Sequence, residues 1–93
     1  MISCADGRCV LQGPVTMATA TQVLEESARV FSGSRIVVDL AGVTEVDSAA
    51  VSLLLEWRRR ARAANRTVEF ANVPVNVQSL AELYGVSELL AGA

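Results

Sequence analysis

Asp39, Asp47 and Ser48 are the residues of this chain whose types and spacing could act together. Asp39 closes the apolar run Ile36-Val37-Val38, and Asp47 stands directly before Ser48 where a long apolar segment opens. With Gly42 read as a short turn between them, the two carboxylates and the hydroxyl are expected to meet near a helix N-terminus. There, free backbone N–H groups favour anions and hydrogen-bond acceptors. Asp39 and Asp47 would form an acid–base pair only at a suitable separation. The chain has no His, no phosphate-cradling glycine motif and no nucleophile elbow. The constellation therefore reads as a recognition or switch surface, and no catalytic activity, cofactor or metal is expected.

Ser48 has two roles at this position. As an N-cap, its hydroxyl would accept an N–H of the first helical turn. As an exposed hydroxyl, it is the candidate for phosphorylation. The helix dipole would tolerate a phosphate there, while Asp47 and Asp39 would oppose its charge, so modification would change how the surface docks.

Cys4 and Cys9 flank Asp6-Gly7, a strong signal for a two-residue hairpin. That turn pairs Ala5 with Arg8 and sets Cys4 opposite Cys9, where the geometry permits a cross-strand disulfide. With no leader pattern in MISCADGRCV, a cytosolic location is expected, and there both thiols stay reduced as small strand residues. Two thiols without further Cys or His are too few for a metal site.

The elements that must position these residues follow from hydrophobic periodicity. Strands are expected at 2–5 and 8–13, ended by Gly13-Pro14. From Ala20, the residues Val23, Leu24, Ser27, Ala28 and Phe31 recur at helical spacing, with Thr19 or Thr21 as cap and Gly33 as stop. Glu25, Glu26 and Arg29 face water. Arg35–Leu40 reads as a strand covered on both faces, because its apolar centre is unbroken. A helix from Ser48 to Ala64 carries Ala50, Val51, Leu54, Trp57 and Ala61 on a core side, widened by Leu53 and Leu55. Ala49, Ser52, Glu56, Arg59 and Ala63 lie on the other side. Thr67–Ala71 is a strand. Val75 to Tyr84 is a helix with Tyr84 packing at its end, and 87–90 is a terminal turn. The order ββαβαβα implies an α/β fold: a mixed sheet of about four strands with right-handed crossovers and helices packed on it.

The 93 residues make one domain, 1–93, and the 52% apolar content is enough to fill a core and leave apolar surface for a partner. No run approaches the ~18 apolar residues of a membrane span. The net charge is −2 and all eight basic residues are Arg, a balance that speaks against nucleic-acid binding. Arg58, Arg59, Arg60 and Arg62 read as a solvated helix end, which the dipole favours; a phosphate or anionic-lipid patch is the alternative.

The segment VVDLAGVTEVDSAAVSLLL, with the hairpin before it and NRTVEFANVP and LAELYGV after it, resembles the STAS domains of anti-sigma-factor antagonists and sulphate-transporter tails. The family pattern is an apolar strand ending in Asp, a small turn, then Asp-Ser-Ser/Thr-Gly and an apolar helix. In the antagonists the phosphorylated hydroxyl is the second residue after the Asp and a Gly follows it. Here those positions are Ala49 and Ala50, and Ser48 matches the first hydroxyl position. Among STAS proteins the chain is most similar to the small cytoplasmic subunit of the Mla phospholipid transport system, which also carries Asp-hydroxyl followed by two small residues. That resemblance implies a non-catalytic accessory subunit of the complex that maintains outer-membrane lipid asymmetry. It would bind the ABC transporter ATPase beside its permease, at the cytoplasmic face of the inner membrane and without inserting. The rival implied by the family is an anti-sigma-factor antagonist that switches partners with a kinase-like anti-sigma factor. A small-ligand or lipid-binding domain, which needs a cavity, is a third. The expected partner surface comprises Val43, Thr44, Glu45, Asp47, Ser48, Ala49, Ser52, Glu56 and Arg59, with Glu56 and Arg59 as its polar rim.

Overall fold

A computed structural model describes residues 1–90. Strands β1 (Ile2–Ala5) and β2 (Arg8–Val15) form the hairpin, and α1 (Ala20–Val30) follows. The chain continues through β3 (Arg35–Val46), α2 (Ser48–Ala63), β4 (Thr67–Ala71) and α3 (Val75–Leu83), then a 3₁₀ turn, Ser87–Leu89. The sheet order is β1-β2-β3-β4, antiparallel at β1/β2 and parallel at β2/β3 and β3/β4. The order ββαβαβα and the mixed four-stranded sheet stand as the sequence implied.

The hairpin turns on Asp6 (φ 54°) and Gly7 (φ 80°), the left-handed pair that a two-residue turn requires. Ala5 pairs with Arg8 and Cys4 with Cys9. A Cβ at Gly7 would lie 3.0 Å from the Arg35 carbonyl, so this turn also fits closely against the start of β3. Cys4 and Cys9 are joined as a disulfide, with Cα atoms 4.0 Å apart, in place of the free thiols expected from compartment alone. The turn sets them directly opposite in a close, non-hydrogen-bonded pair.

Two expectations fail at β3. The strand does not end at Leu40; it runs to Val46. Its pairing with β2 jumps from Val10↔Asp39 to Gln12↔Gly42, and again from Gly13↔Val43 to Val15↔Val46. Each jump places an extra residue on β3, a bulge that resets the inward–outward alternation. Buried Leu40 is therefore followed by buried Val43 three residues later, and the break in period imitates a turn. Gly42 sits where a Cβ would meet the Gln12 side chain at 2.9 Å and the Leu11 carbonyl at 3.2 Å. β2 likewise continues through Pro14 to Val15. Pro14 needs no ladder donor there, because β1 has already ended.

Nor is β3 covered on both faces. Cys9, Leu11, Ile36, Val38, Leu40 and Val68 turn to one side and join Val23, Leu53, Leu54, Trp57 and Val77 from the three helices in one core cluster. The opposite face stays open. It carries Arg8, Val10 and Gln12 of β2 and Asp39 and Ala41 of β3, none of them buried. Ion pairs Arg8–Asp39 (3.1 Å) and Arg35–Glu69 (2.6 Å) cross it. Cross-strand charge pairs of this kind let a one-sided sheet face water.

On α2 the stripe Ala50, Val51, Leu54, Trp57 and Ala61 is buried as expected, and Leu53 with it; Leu55 is exposed. Trp57 Nε1 donates to Ser27 Oγ (2.8 Å), and that hydroxyl donates to the Leu24 carbonyl (2.7 Å). A buried Trp N–H and a buried hydroxyl thus satisfy each other across the α1–α2 contact. Phe31 and Phe70 pack at 5.3 and 6.4 Å from the indole. Tyr84 is half exposed and does not pack at the helix end as expected.

Candidate functional site

The two carboxylates do not meet. Because β3 runs on from Asp39 to Val46, Asp39 and Asp47 lie eight residues apart along extended chain, roughly 20–26 Å at about 3.3 Å per residue once the two bulges are allowed for. Asp39 belongs to the open face of the sheet. Its carboxylate accepts from Ala41 N (2.9 Å), Arg8 Nη2 (3.1 Å) and Asn72 Nδ2 (3.1 Å). The Ala41 amide foremost, then Asn72 and Arg8, hold its pKa below the ordinary carboxylate value against the effect of burial. It is a structural acid with its acceptors occupied.

Asp47, not Ser48, is the N-cap of α2. Its Oδ1 accepts from Ala49 N at 2.8 Å and its Oδ2 from Met17 N at 3.0 Å. Asp47 therefore fastens the loop before α1 onto the start of α2. The carboxylate competes better than a hydroxyl for these donors, since a charged acceptor makes the stronger bond and is favoured at the positive helix end. Ser48 is displaced to the first helical position and is exposed. Ala49 is half-buried, and Ala50 turns into the core.

Ser48, Ala49, Ser52 and Glu56 line one side of a groove of about 460 Å³. Met17, Ala20, Thr21 and Leu24 line the other, and Leu53 forms part of the lining. Four of the nine expected surface residues are gathered here. Thr44 and Glu45 are exposed near the C-terminal end of β3; there Asn76 Nδ2 reaches the Thr44 carbonyl at 3.4 Å. Asp47 stands between, half-buried. Val43 is buried. The bulge after Leu40 turns it inward, so it offers no surface to a partner. Arg59 lies farther along α2 and lines a separate groove with Leu55, Arg58 and Arg62.

Glu56 accepts from Arg59 Nε (2.9 Å) and Nη2 (2.6 Å) and from Arg60 Nε (2.7 Å). These bonds, Arg59's first, lower its pKa to about 2. The carboxylate is thus a fixed negative charge at the end of the groove. The α1 side, Met17 and Leu24 above all, escaped the sequence reading. Met17 is 79% exposed; a long apolar side chain in the short loop Thr16–Thr19, with nothing in the helix pattern to pack on, was the available signal.

The fold and site define an α/β domain with a one-sided sheet and a polar–apolar groove at the N-terminal ends of two helices. A family model described as "Mlab, STAS domain" matches residues 3–91, and the chain belongs to the STAS-domain family. Domains of this family are generally non-catalytic and regulatory, and act through partner proteins such as kinases and ATPases. Fourteen solved chains are similar to it. One is the anti-sigma factor antagonist SpoIIAA in its unphosphorylated form, at TM-score 0.74 and 15% identity over 97% of this chain and 84% of that one. Another is the protein Mglu, at TM-score 0.63 and 26% identity over 83% of this chain. The match spans only 20% of Mglu. No curated protein matches the chain.

Proposed function

We propose that this chain is a non-catalytic accessory subunit that binds and stabilises the ATPase of a phospholipid-transporting ABC complex, through the groove between the N-termini of α1 and α2. The observation that carries the reading is the exposed Ser48 followed by half-buried Ala49. The position that holds the phosphorylated hydroxyl in antagonists is here a methyl group, so the surface suits constitutive docking better than a phosphorylation cycle. The Mla description of the matching family model supports the same choice. Met17 and Leu24 supply apolar anchor surface, and Ala49 lets a partner backbone approach closely. Glu56, held ionised, supplies a charged rim that sets register and encounter rate more than affinity. In this reading the chain is cytoplasmic, where the Cys4–Cys9 pair would be kept reduced, and it reaches the inner membrane only through its partner; no described helix is long and apolar enough to cross a membrane.

Affinity pull-down from the native host tests this, with tagged wild type beside Ala49→Glu. Recovery of an ABC ATPase and its permease with wild type, and their loss with the variant, is the expected result. The second reading, an anti-sigma-factor antagonist, draws on the likeness to SpoIIAA and on the exposure of Ser48. Recovery of a kinase-like protein, with phosphate on Ser48, would establish it in place of the first.

A further inference from the structure

Cys4 and Cys9 are the two cysteines of the chain, and the hairpin sets them in register without help from the bond between them. Asp6 and Gly7 form the turn in left-handed conformations, and the Gly7 carbonyl accepts from Val37 N at 2.9 Å, which anchors the turn on β3. At the far end of the hairpin, Met1 and Gln12 exchange both backbone hydrogen bonds, at 3.0 and 2.9 Å. Bonded and non-bonded pairs alternate along an antiparallel ladder. Ser3↔Val10 and Ala5↔Arg8 are therefore bonded pairs, and Cys4↔Cys9 is the close pair between them. The two sulfurs can join or part with little movement of the backbone.

The sulfurs differ in access. Cys9 lies on β2 within the core and is 1% exposed. Cys4 is half-buried on β1, the outermost strand, so an external thiolate reaches Cys4. Attack there forms a mixed disulfide on Cys4 and breaks the Cys4–Cys9 bond, and Cys9 leaves as a thiolate that takes a proton. A second external thiol then removes the first as an external disulfide, and Cys4 is left as a thiol. Two external thiols are oxidised as one protein disulfide is reduced; oxidised glutathione runs the same steps backwards. The cysteines are only five residues apart in sequence, so closing the loop restricts the unfolded chain little. Fold and bond lend each other modest support, as in a labile pair and unlike a structural one.

The element under control is β1. It has four residues and, beyond its ladder to β2, rests on half-buried Ile2 and Cys4 and on a long bond from Ile2 N to Glu26 Oε1, at 3.4 Å. We propose that Cys4 and Cys9 are a reversible thiol–disulfide couple, with Cys4 as the exchanging sulfur. Oxidation locks β1 onto the sheet, and reduction lets it open locally. Cys9 pairs with Val38, and Val15 with Val46 beside the groove; the span from Cys9 to Val15 is on the order of 20 Å. The couple therefore does not depend on the partner assigned above.

The full chain is equilibrated in glutathione buffers of graded thiol-to-disulfide ratio, quenched in acid, alkylated with N-ethylmaleimide and weighed intact. The expected result is one transition, within that series, between species carrying no maleimide and species carrying two. Hydrogen exchange followed by NMR should show the Ser3 and Ala5 amides exchanging about tenfold faster in the dithiol form, with β3 and β4 little changed. Cys9→Ser should take up glutathione at Cys4 about tenfold faster than Cys4→Ser takes it up at buried Cys9. The proposal is overturned if the pair stays wholly oxidised or wholly reduced across the series, or if both forms exchange alike at Ser3 and Ala5. Equal uptake by the two variants would overturn the choice of Cys4. The wild-type measurements need no substitution, so they decide the matter even if a variant fails to fold.

Discussion

Asp47 shows how one side chain can decide the geometry of a surface. A carboxylate that caps α2 and also accepts Met17 N holds both walls of the groove together, which leaves Ser48 without a capping duty. Asp47→Ala should therefore cost about 1–2 kcal/mol in urea denaturation, while Ser48→Ala should stay within about 0.5 kcal/mol, as for an ordinary surface change. If Ser48→Ala proved the costlier of the two, the assignment of the cap would be wrong. Ala49→Glu, on the same turn but half exposed, should leave the unfolding midpoint nearly unchanged and act on docking alone. Asp39 makes a different prediction. Its folded pKa lies below the unfolded value of about 3.9. Its contribution is complete above that value and is lost as pH falls through the folded pKa. Glu69, lowered mainly by its bond from Arg35, behaves alike. Asp39→Asn should thus flatten the loss of thermal stability as pH falls below about 4, as followed by circular dichroism; an unchanged slope would show that Asp39 gives no net pH-dependent support.

At the scale of elements, the β2–β3 pairing and the α1–α2 contact position the site. Two bulges lengthen β3 past Leu40 and carry Val46 and Asp47 to the start of α2. The first bulge relies on the bare Cα of Gly42, where a methyl would press on Gln12 and the Leu11 carbonyl. Gly42→Ala should destabilise by about 1–3 kcal/mol through this overpacking, and chemical-shift changes should concentrate along β2 and β3. The α1–α2 contact rests on the Ser27–Trp57 bond. Ser27→Ala leaves a buried indole N–H without an acceptor, and a loss of about 1–3 kcal/mol is expected. A neutral result would mean that water or another group replaces the hydroxyl.

The whole molecule is a one-sided sandwich with two distinct ends. One end bears the N-termini of α1 and α2 and the groove beside Ser48; the other bears Arg60 and Arg66 beside the C-terminal end of α2. The open face of the sheet bears ion pairs and remains available to solvent. The edge strand β1 is held to β2 by the Cys4–Cys9 disulfide as well as by pairing. Closing so short a loop limits the unfolded chain only modestly. Reduction should lower stability by about 2 kcal/mol on the chain-entropy account, read from urea midpoints with and without a thiol reductant. No shift on reduction would mean that the hairpin turn alone sets the β1–β2 register.

Much of this architecture is legible in the sequence because it depends on local patterning. The period-two runs around Asp6-Gly7, the stripe from Ala50 through Trp57 to Ala61, and β4 at Thr67–Ala71 each follow from side chains a few residues apart. The Asp-Ser pair before an apolar helix likewise marks where a surface site would lie. The sequence could not decide what depends on pairing between distant strands. A bulge is invisible until β2 lies beside β3, so local pattern alone implies a stop at Leu40, an exposed Val43 and an approach of Asp39 to Asp47. The apolar run Ile36-Val37-Val38 suggested two covered faces, because hydrophobicity alone does not report that all three helices pack on one side. Only the tertiary structure chose Asp47 over Ser48 as the cap, brought Met17 opposite Ala49, and set the Trp57 indole on the Ser27 hydroxyl. Each of these requires groups from two or more elements, far apart in the chain, to compete for the same donor or the same space.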